Sequence, residues 1–386
     1  MENLNCQNQN RINENMELLN KNSNNSIFIS GLCDPSTIDL SQNKMWKQET
    51  LDSYISILNT QSEIKQVDSI NAKIDVLNTK VIETPTYNNM TTDNHEGKNT
   101  TGRKLVIQGL LCLTVNYVEN TPEQPVNSFI GNVPFSSYII LPKMIEAKDT
   151  LTLNFAVSSC IEAIQVNSIK SNNIYISAIF TLLANKLDAM CDDDINCFSD
   201  NGNCDTSSCM LSQSPRILGV CPVEKIRNLF TSVPNPEMSK KYWNEISVPE
   251  VLTISESKPD IEELLSLSVD VEILSKKIIK TPKPTQTTNY ENKKLFGKKL
   301  IIEAILYQRL TYISKDSSNS IYSCNFSVPV STYIVLPEPE DLSTKFEVAC
   351  CIEDIYTCAL NNRQIFKGIN IFFKATPVKC VVNNVI

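Results

Sequence analysis

The chain has 386 residues, 41% of them hydrophobic, enough to build cores in two or three domains. A formal charge of −8 argues against a nucleic-acid partner, which demands a basic face, and a single histidine leaves catalysis short of its commonest general base. No apolar run approaches the roughly 18–20 residues of a spanning helix, so membrane insertion is not expected.

Taken in chain order, residues 1–26 form a polar, Asn-rich arm that cannot bury enough apolar surface to order alone. The arm carries Cys6 and shows no basic segment followed by an apolar stretch, so synthesis without a secretory signal is expected. It leads into Asn25-Ser-Ile-Phe-Ile-Ser30, read as a strand that adds to the edge of a neighbouring subunit. Residues 27–187 make a first β domain. In it Leu105, Ile107, Leu111, Leu113, Val115 and Tyr117 share one face at period two, which predicts a long strand over 104–118. Gly109 interrupts this strand, which suggests a bulge or a partner contact. A second strand over 136–141 ends at a proline. Asn88–Thr101 reads as a polar loop and holds His95, with nothing apolar around it to form a pocket.

Residues 188–213 hold six Asp, no Lys or Arg, and Cys191, Cys197, Cys204 and Cys209. Such a segment builds no core and is read as a linker or stapled loop. The gaps between its cysteines are not the close pairs of a zinc site, and its aspartates do not alternate as in a calcium loop. Disulfides are the preferred reading, with free thiols and a metal site left open. Residues 214–386 make a second β domain. Pro259-Asp-Ile-Glu-Glu-Leu-Leu265 reads as a short helix, with Pro near a first turn and acids after it. Leu300, Ile302, Ala304, Leu306, Leu310 and Tyr312 then define the counterpart of the first long strand, interrupted at Gln308, and 331–336 the counterpart of 136–141.

The two domains are copies. Lys80-Val-Ile-Glu-Thr-Pro85 recurs as Lys277-Ile-Ile-Lys-Thr-Pro282, and Gly102-Arg-Lys-Leu-Val-Ile107 as Gly297-Lys-Lys-Leu-Ile-Ile302. Asn132-Val-Pro-Phe-Ser-Ser-Tyr-Ile-Ile-Leu-Pro142 recurs as Ser327-Val-Pro-Val-Ser-Thr-Tyr-Ile-Val-Leu-Pro337, and Val157-Ser-Ser-Cys-Ile-Glu162 as Val348-Ala-Cys-Cys-Ile-Glu353. Gly31-Leu-Cys33 matches Gly219-Val-Cys221, and Trp46 matches Trp243. The fold class that follows is mainly β: two tandem β-sandwich or partly closed β-barrel domains with short helices, joined by a Cys-rich acidic linker.

These elements resemble the SPOCS domain of clostridial spore-coat and spore-morphogenesis proteins. The resemblance rests on Trp243-Asn-Glu-Ile-Ser-Val-Pro-Glu-Val-Leu-Thr-Ile254, Ser257-Lys-Pro-Asp-Ile-Glu-Glu-Leu264, the Thr-Pro element, the Gly-Lys-Lys-Leu element and the Val-Pro-x-Ser-Thr-Tyr run. The first copy replaces Lys-Pro-Asp-Ile-Glu with Glu63-Ile-Lys-Gln-Val67. The resemblance implies a spore-envelope location, a role in assembly and no catalytic residues. No LysM module of the kind that docks a family adaptor is present, which favours a building block of coat, exosporium or appendage.

The cysteines fit that implication. Fourteen thiols without an export signal suit a protein made in a mother cell that oxidises once that cell lyses. Cys33 with Cys221, and Cys160 with Cys351, are equivalent in the two copies and belong to the domain, as packed small hydrophobes or as bonded pairs. Cys6, Cys191, Cys197, Cys204, Cys209, Cys350, Cys358 and Cys380 are candidates for disulfides or cross-links between subunits, buried free thiols being the alternative. Vicinal Cys350 and Cys351 point to opposite faces of a strand. Glu162 and Glu353 are equivalent, and each is read as a strand-end acid facing water or a backbone amide rather than as a carboxylate site. The expectation is therefore a non-enzymatic protein of the spore surface, without cofactor or metal, that polymerises with itself and contacts other spore-coat proteins. The rival reading is a binding or adaptor module that anchors coat components to a scaffold protein or glycan.

Overall fold

The computed structural model describes residues 27–34, 43–57, 63–88, 90–143, 155–169, 172–187, 215–232, 239–282, 297–316, 319–337 and 342–378. The arm, the Cys-rich linker, Cys6 and Cys380 lie outside them.

The first copy contributes β1 (Phe28–Ser30), β2 (Trp46–Ser56), β3 (Ile64–Glu83), β4 (Thr92–Asp93), β5 (Asn99–Thr100), β6 (Arg103–Glu119), β7 (Val126–Ile140), β8 (Phe155–Ile169) and β9 (Asn173–Lys186). The second contributes β10 (Arg216–Leu218), a short helix α1 (Val223–Arg227), β11 (Trp243–Thr253), β12 (Ile261–Lys280), β13 (Lys298–Ser314), β14 (Ile321–Leu336), β15 (Lys345–Ala359) and β16 (Gln364–Val378). Each copy is a sandwich of two sheets. A four-stranded sheet has the order β1-β3-β6-β7, or β10-β12-β13-β14, and a three-stranded sheet the order β2-β9-β8, or β11-β16-β15. The two copies thus share one topology, and the barrel alternative is set aside because the sheets of each copy remain separate ladders.

Alternation places the cores. Leu105, Ile107, Leu111, Leu113, Val115 and Tyr117 of β6 face Ile174, Ile176, Ala178, Phe180 and Leu182 of β9 within one apolar cluster. In the second copy Leu300, Ile302, Leu306, Leu310 and Tyr312 face Ile365, Ile369, Ile371 and Phe373 in the same way. Gln308 also points inward, where it donates to Glu250, which pairs with the buried Lys367 at 2.6 Å.

Three local readings are corrected. Pro259–Leu265 is not helical: Ile261 begins β12. Register shifts at Ile261/Glu263 and Leu264/Ser266 insert an extra residue each, so Ile261, Leu264 and Leu267 all face the core at a spacing of three. Two β-bulges imitate the helical period. The bulge expected at Gly109 exists but lies in the neighbouring strand, between Val76 and Asn78, with an equivalent between Ile273 and Ser275. Phe135 fills the space where a Gly109 side chain would stand. Finally, Phe28–Ser30, read as a strand added to a neighbouring subunit, pairs in parallel with β3 of its own domain, and β10 pairs likewise with β12.

The repeated Gly-x-Cys follows from this pairing. Gly31 and Gly219 have φ of +88° and +108°, and a Cβ at either would collide with the carbonyl oxygen of Ala72 or Val269. The turn delivers Cys33 to Cys160 and Cys221 to Cys351, two disulfide-bonded pairs with Cα atoms 5.3 and 5.7 Å apart. Each bond ties the edge of the four-stranded sheet to the three-stranded sheet of the same sandwich.

Candidate functional site

The most elaborate polar chemistry of the molecule lies where the two domains meet. The outer face of the first four-stranded sheet packs on the outer face of the second three-stranded sheet, through β7 and β3 against β11, β16 and β15. Lys104, Val106, Gln108 and Leu110 of β6 are wholly buried although they point away from their own core. Across from them lie Glu245, Glu353, Phe366, Gly368, Asn370 and Phe372, also buried. Ser136 hydrogen-bonds Ser247 at 2.9 Å, and a side chain at Gly368 would meet Ser136 and Gln108.

At the centre stands Lys104. Its Nζ lies against Glu245 Oε1 and 2.6 Å from Glu353 Oε2, and all three side chains are at most 2% exposed. Its ammonium also sits 4.5 Å from the centre of the Tyr138 ring. Burial pushes the Lys104 pKa down against the opposing pull of Glu353. Burial likewise pushes Glu353 up against the pull of Lys104. The second oxygen of Glu353, Oε1, is buried with no hydrogen-bond partner among the described residues. A cleft of about 430 Å³, lined by Lys47, Glu49, Tyr138, Glu245 and Pro249 among others, opens beside the cluster. This corrects the reading of Glu353 as a water-facing strand-end acid: the Lys that buries it comes from the other copy, and no local pattern carries that information. Glu162, its equivalent, is half-buried and accepts hydrogen bonds from Gln48 at 2.6 Å and Thr181 at 2.5 Å.

The rim adds Lys80 to Asp354 at 2.7 Å, Lys241 to Asp93 at 2.7 Å and a bidentate Arg227–Glu83 pair at 2.6 Å. The stretch read as a loop around His95 is a hairpin of β4 and β5 that reaches the second domain. Asn94 donates to the Trp243 carbonyl at 3.1 Å, Lys98 to Asn244 at 2.9 Å, and Tyr333 to Glu96 at 2.7 Å. The His95 ring lies 5.2 Å from that of Tyr242. Next to the junction Trp243 stacks on Phe372 inside a third cluster with Ile226, Leu229, Phe230 and Cys351.

The remaining cysteines divide by environment. Cys358 is buried and disulfide-bonded. Cys112 and Cys324 are buried, and Cys350 is a half-buried free thiol packed against the second core, its pKa raised by burial. Cys351 takes the opposite face, as vicinal strand residues must. Cys6, Cys191, Cys197, Cys204, Cys209 and Cys380 fall outside the described residues. Among the described residues no group of three or more His, Cys, Asp or Glu could hold a metal ion, and no helix is long and apolar enough to cross a membrane.

Fold and junction together define a tandem β-sandwich protein whose two repeats are joined face to face and stapled internally by equivalent disulfides. The family model "SipL, SPOCS domain" matches residues 63–167 and 260–360, one segment in each sandwich and more than half of the chain. The chain belongs to this SPOCS-domain family, and with it to proteins with a spore-related role. No curated protein and no solved structure matches it.

Proposed function

We propose that the protein is a structural subunit of the spore surface, in coat, exosporium or appendage, that assembles with itself head to tail. One observation carries the reading. The junction joins two different faces, a four-stranded one from the first copy and a three-stranded one from the second. One face of each kind is therefore left at the two ends of the molecule. A contact between unlike faces does not close on itself, so repeating it between molecules yields an open chain.

The free ends carry what the junction uses. Trp46, the equivalent of the 1%-exposed Trp243, is 45% exposed on the free three-stranded face, with Tyr54 and Ile179 also exposed. Gln48 and Glu162 stand there at the positions of Glu245 and Glu353. On the remaining four-stranded face Lys299 holds the position of Lys104, 3.7 Å from the Tyr333 ring where Lys104 lies 4.5 Å from that of Tyr138, at the margin that Glu96 of the first copy reaches, and Ile301 and Ile305 replace Val106 and Leu110. A second copy fits by both apolar and charge complementarity. Electron microscopy and sedimentation of the purified protein over a concentration series test the reading. Concentration-dependent linear polymers are expected. A strict monomer throughout would overturn it and leave the adaptor reading.

A further inference from the structure

We propose that Lys104 and Glu245 become joined by an amide bond that cross-links the two domains, with Glu353 as the proton-transferring group. The site is assembled from three strands of two domains: Lys104 from β6, Glu245 from β11 and Glu353 from β15. Nucleophile and acyl group are in contact, and Glu353 touches the nucleophile at 2.6 Å with its other oxygen unengaged. The inference is independent of self-assembly, because all three groups belong to one chain.

The environment favours the step. Two carboxylates and one ammonium held away from water are costly as ions, and removal of one ion pair relieves that cost. Burial drives Lys104 toward the neutral amine and Glu353 toward the neutral acid. The amine is the nucleophilic form, and fixed contact between amine and carboxyl replaces a bimolecular encounter.

The balance is simple. The Lys104 ammonium passes one proton to the Glu245 carboxylate, leaving an amine and a carboxylic acid. Nζ attacks Cδ of Glu245, a carbon–nitrogen bond forms, and the carbon–oxygen bond to the hydroxyl breaks. Glu353 donates its proton to the departing hydroxyl through one oxygen and receives the Nζ proton on the other, so it ends as it began. One ammonium and one carboxylate yield one amide and one water, with no oxidant, activator or other reactant. The adjoining cleft gives the water a way out.

The test is the intact mass of the purified full chain, fully reduced and denatured, against a Lys104→Arg variant prepared in the same way. Arginine keeps the charge but not the nucleophilic amine. Once the substitution is allowed for, the wild type should be lighter by one water and the variant should not. Digestion should yield one branched peptide linking the segments that contain Lys104 and Glu245. Glu353→Ala, which retains both bond-forming groups, should give the uncondensed mass. Wild type at full sequence mass would overturn the proposal, whatever the fold of the variants. Loss of water that survives Lys104→Arg, or a branch at Glu353 in place of Glu245, would overturn it equally.

Discussion

Trp243 and Trp46 occupy one position in two copies of one fold, and only Trp243 is covered, by a cluster that includes Ile226, Phe230 and Phe372. Trp243 is 1% exposed, stacked on Phe372 with ring centres 5.1 Å apart and planes 20° from parallel. Replacement by Ala removes a fully buried indole from a packed cluster, a change expected to cost about 3–5 kcal/mol, cavity included. About 0.5–1.5 kcal/mol of that comes from the aromatic pair. Trp46 is 45% exposed. Trp46→Ala should cost about 1 kcal/mol, since complete burial of a large apolar side chain is worth only about 1.5–3 kcal/mol. Urea unfolding followed by far-ultraviolet circular dichroism gives both numbers from the midpoint and slope. Equal losses, or a larger loss for Trp46→Ala, would refute the reasoning that only Trp243 is enclosed by a packed cluster.

Removal of either equivalent disulfide, by Cys33→Ser with Cys160→Ser or by Cys221→Ser with Cys351→Ser, should each cost about 2–4 kcal/mol in the same assay. Gly219→Ala should destabilise the second domain and leave the first unchanged in hydrogen exchange, because its φ is +108° and its Cβ would strike a backbone carbonyl. Burial holds the Lys374 pKa down to about 7. Its folded form therefore binds fewer protons than the unfolded chain between pH 7 and the usual lysine range, so stability should rise with pH across that window. Lys374→Met should flatten this slope in a series of melts; an unchanged slope would show that another group causes it. Arg227→Ala should cost no more than about 1 kcal/mol, since its pairing with Glu83 is exposed.

Much of this architecture is legible in the sequence. The inward faces of β6 and β13 follow from period two alone, and the tandem copies from Gly-x-Cys, Thr-Pro, Gly-x-Lys-Leu and Val-Pro-x-Ser. The two bulges at the start of β12 were not legible, because an inserted residue turns the spacing of Ile261, Leu264 and Leu267 from two to three. The junction was hidden for a different reason. Lys104, Glu245 and Glu353 come from three segments far apart in the chain, and partners of that kind leave no local pattern. One signal was available: Lys104, Val106, Gln108, Leu110 and Cys112 make the outward face of β6 less charged than Lys299, Ile301, Glu303, Ile305, Tyr307 and Arg309 make that of β13. An outward face poor in charge is a face that something covers.

The account rests on the claim that the two free faces are complementary, and one mixing experiment addresses it directly. A variant with Trp46→Lys and Ile179→Lys spoils the free three-stranded face and keeps the four-stranded one. A variant with Ile301→Glu and Ile305→Glu does the reverse. Each alone should remain monomeric in analytical ultracentrifugation, and an equimolar mixture should form a discrete one-to-one dimer that grows no further. Polymers from either variant alone, or a mixture that stays monomeric while the wild type polymerises, would contradict assembly through these faces.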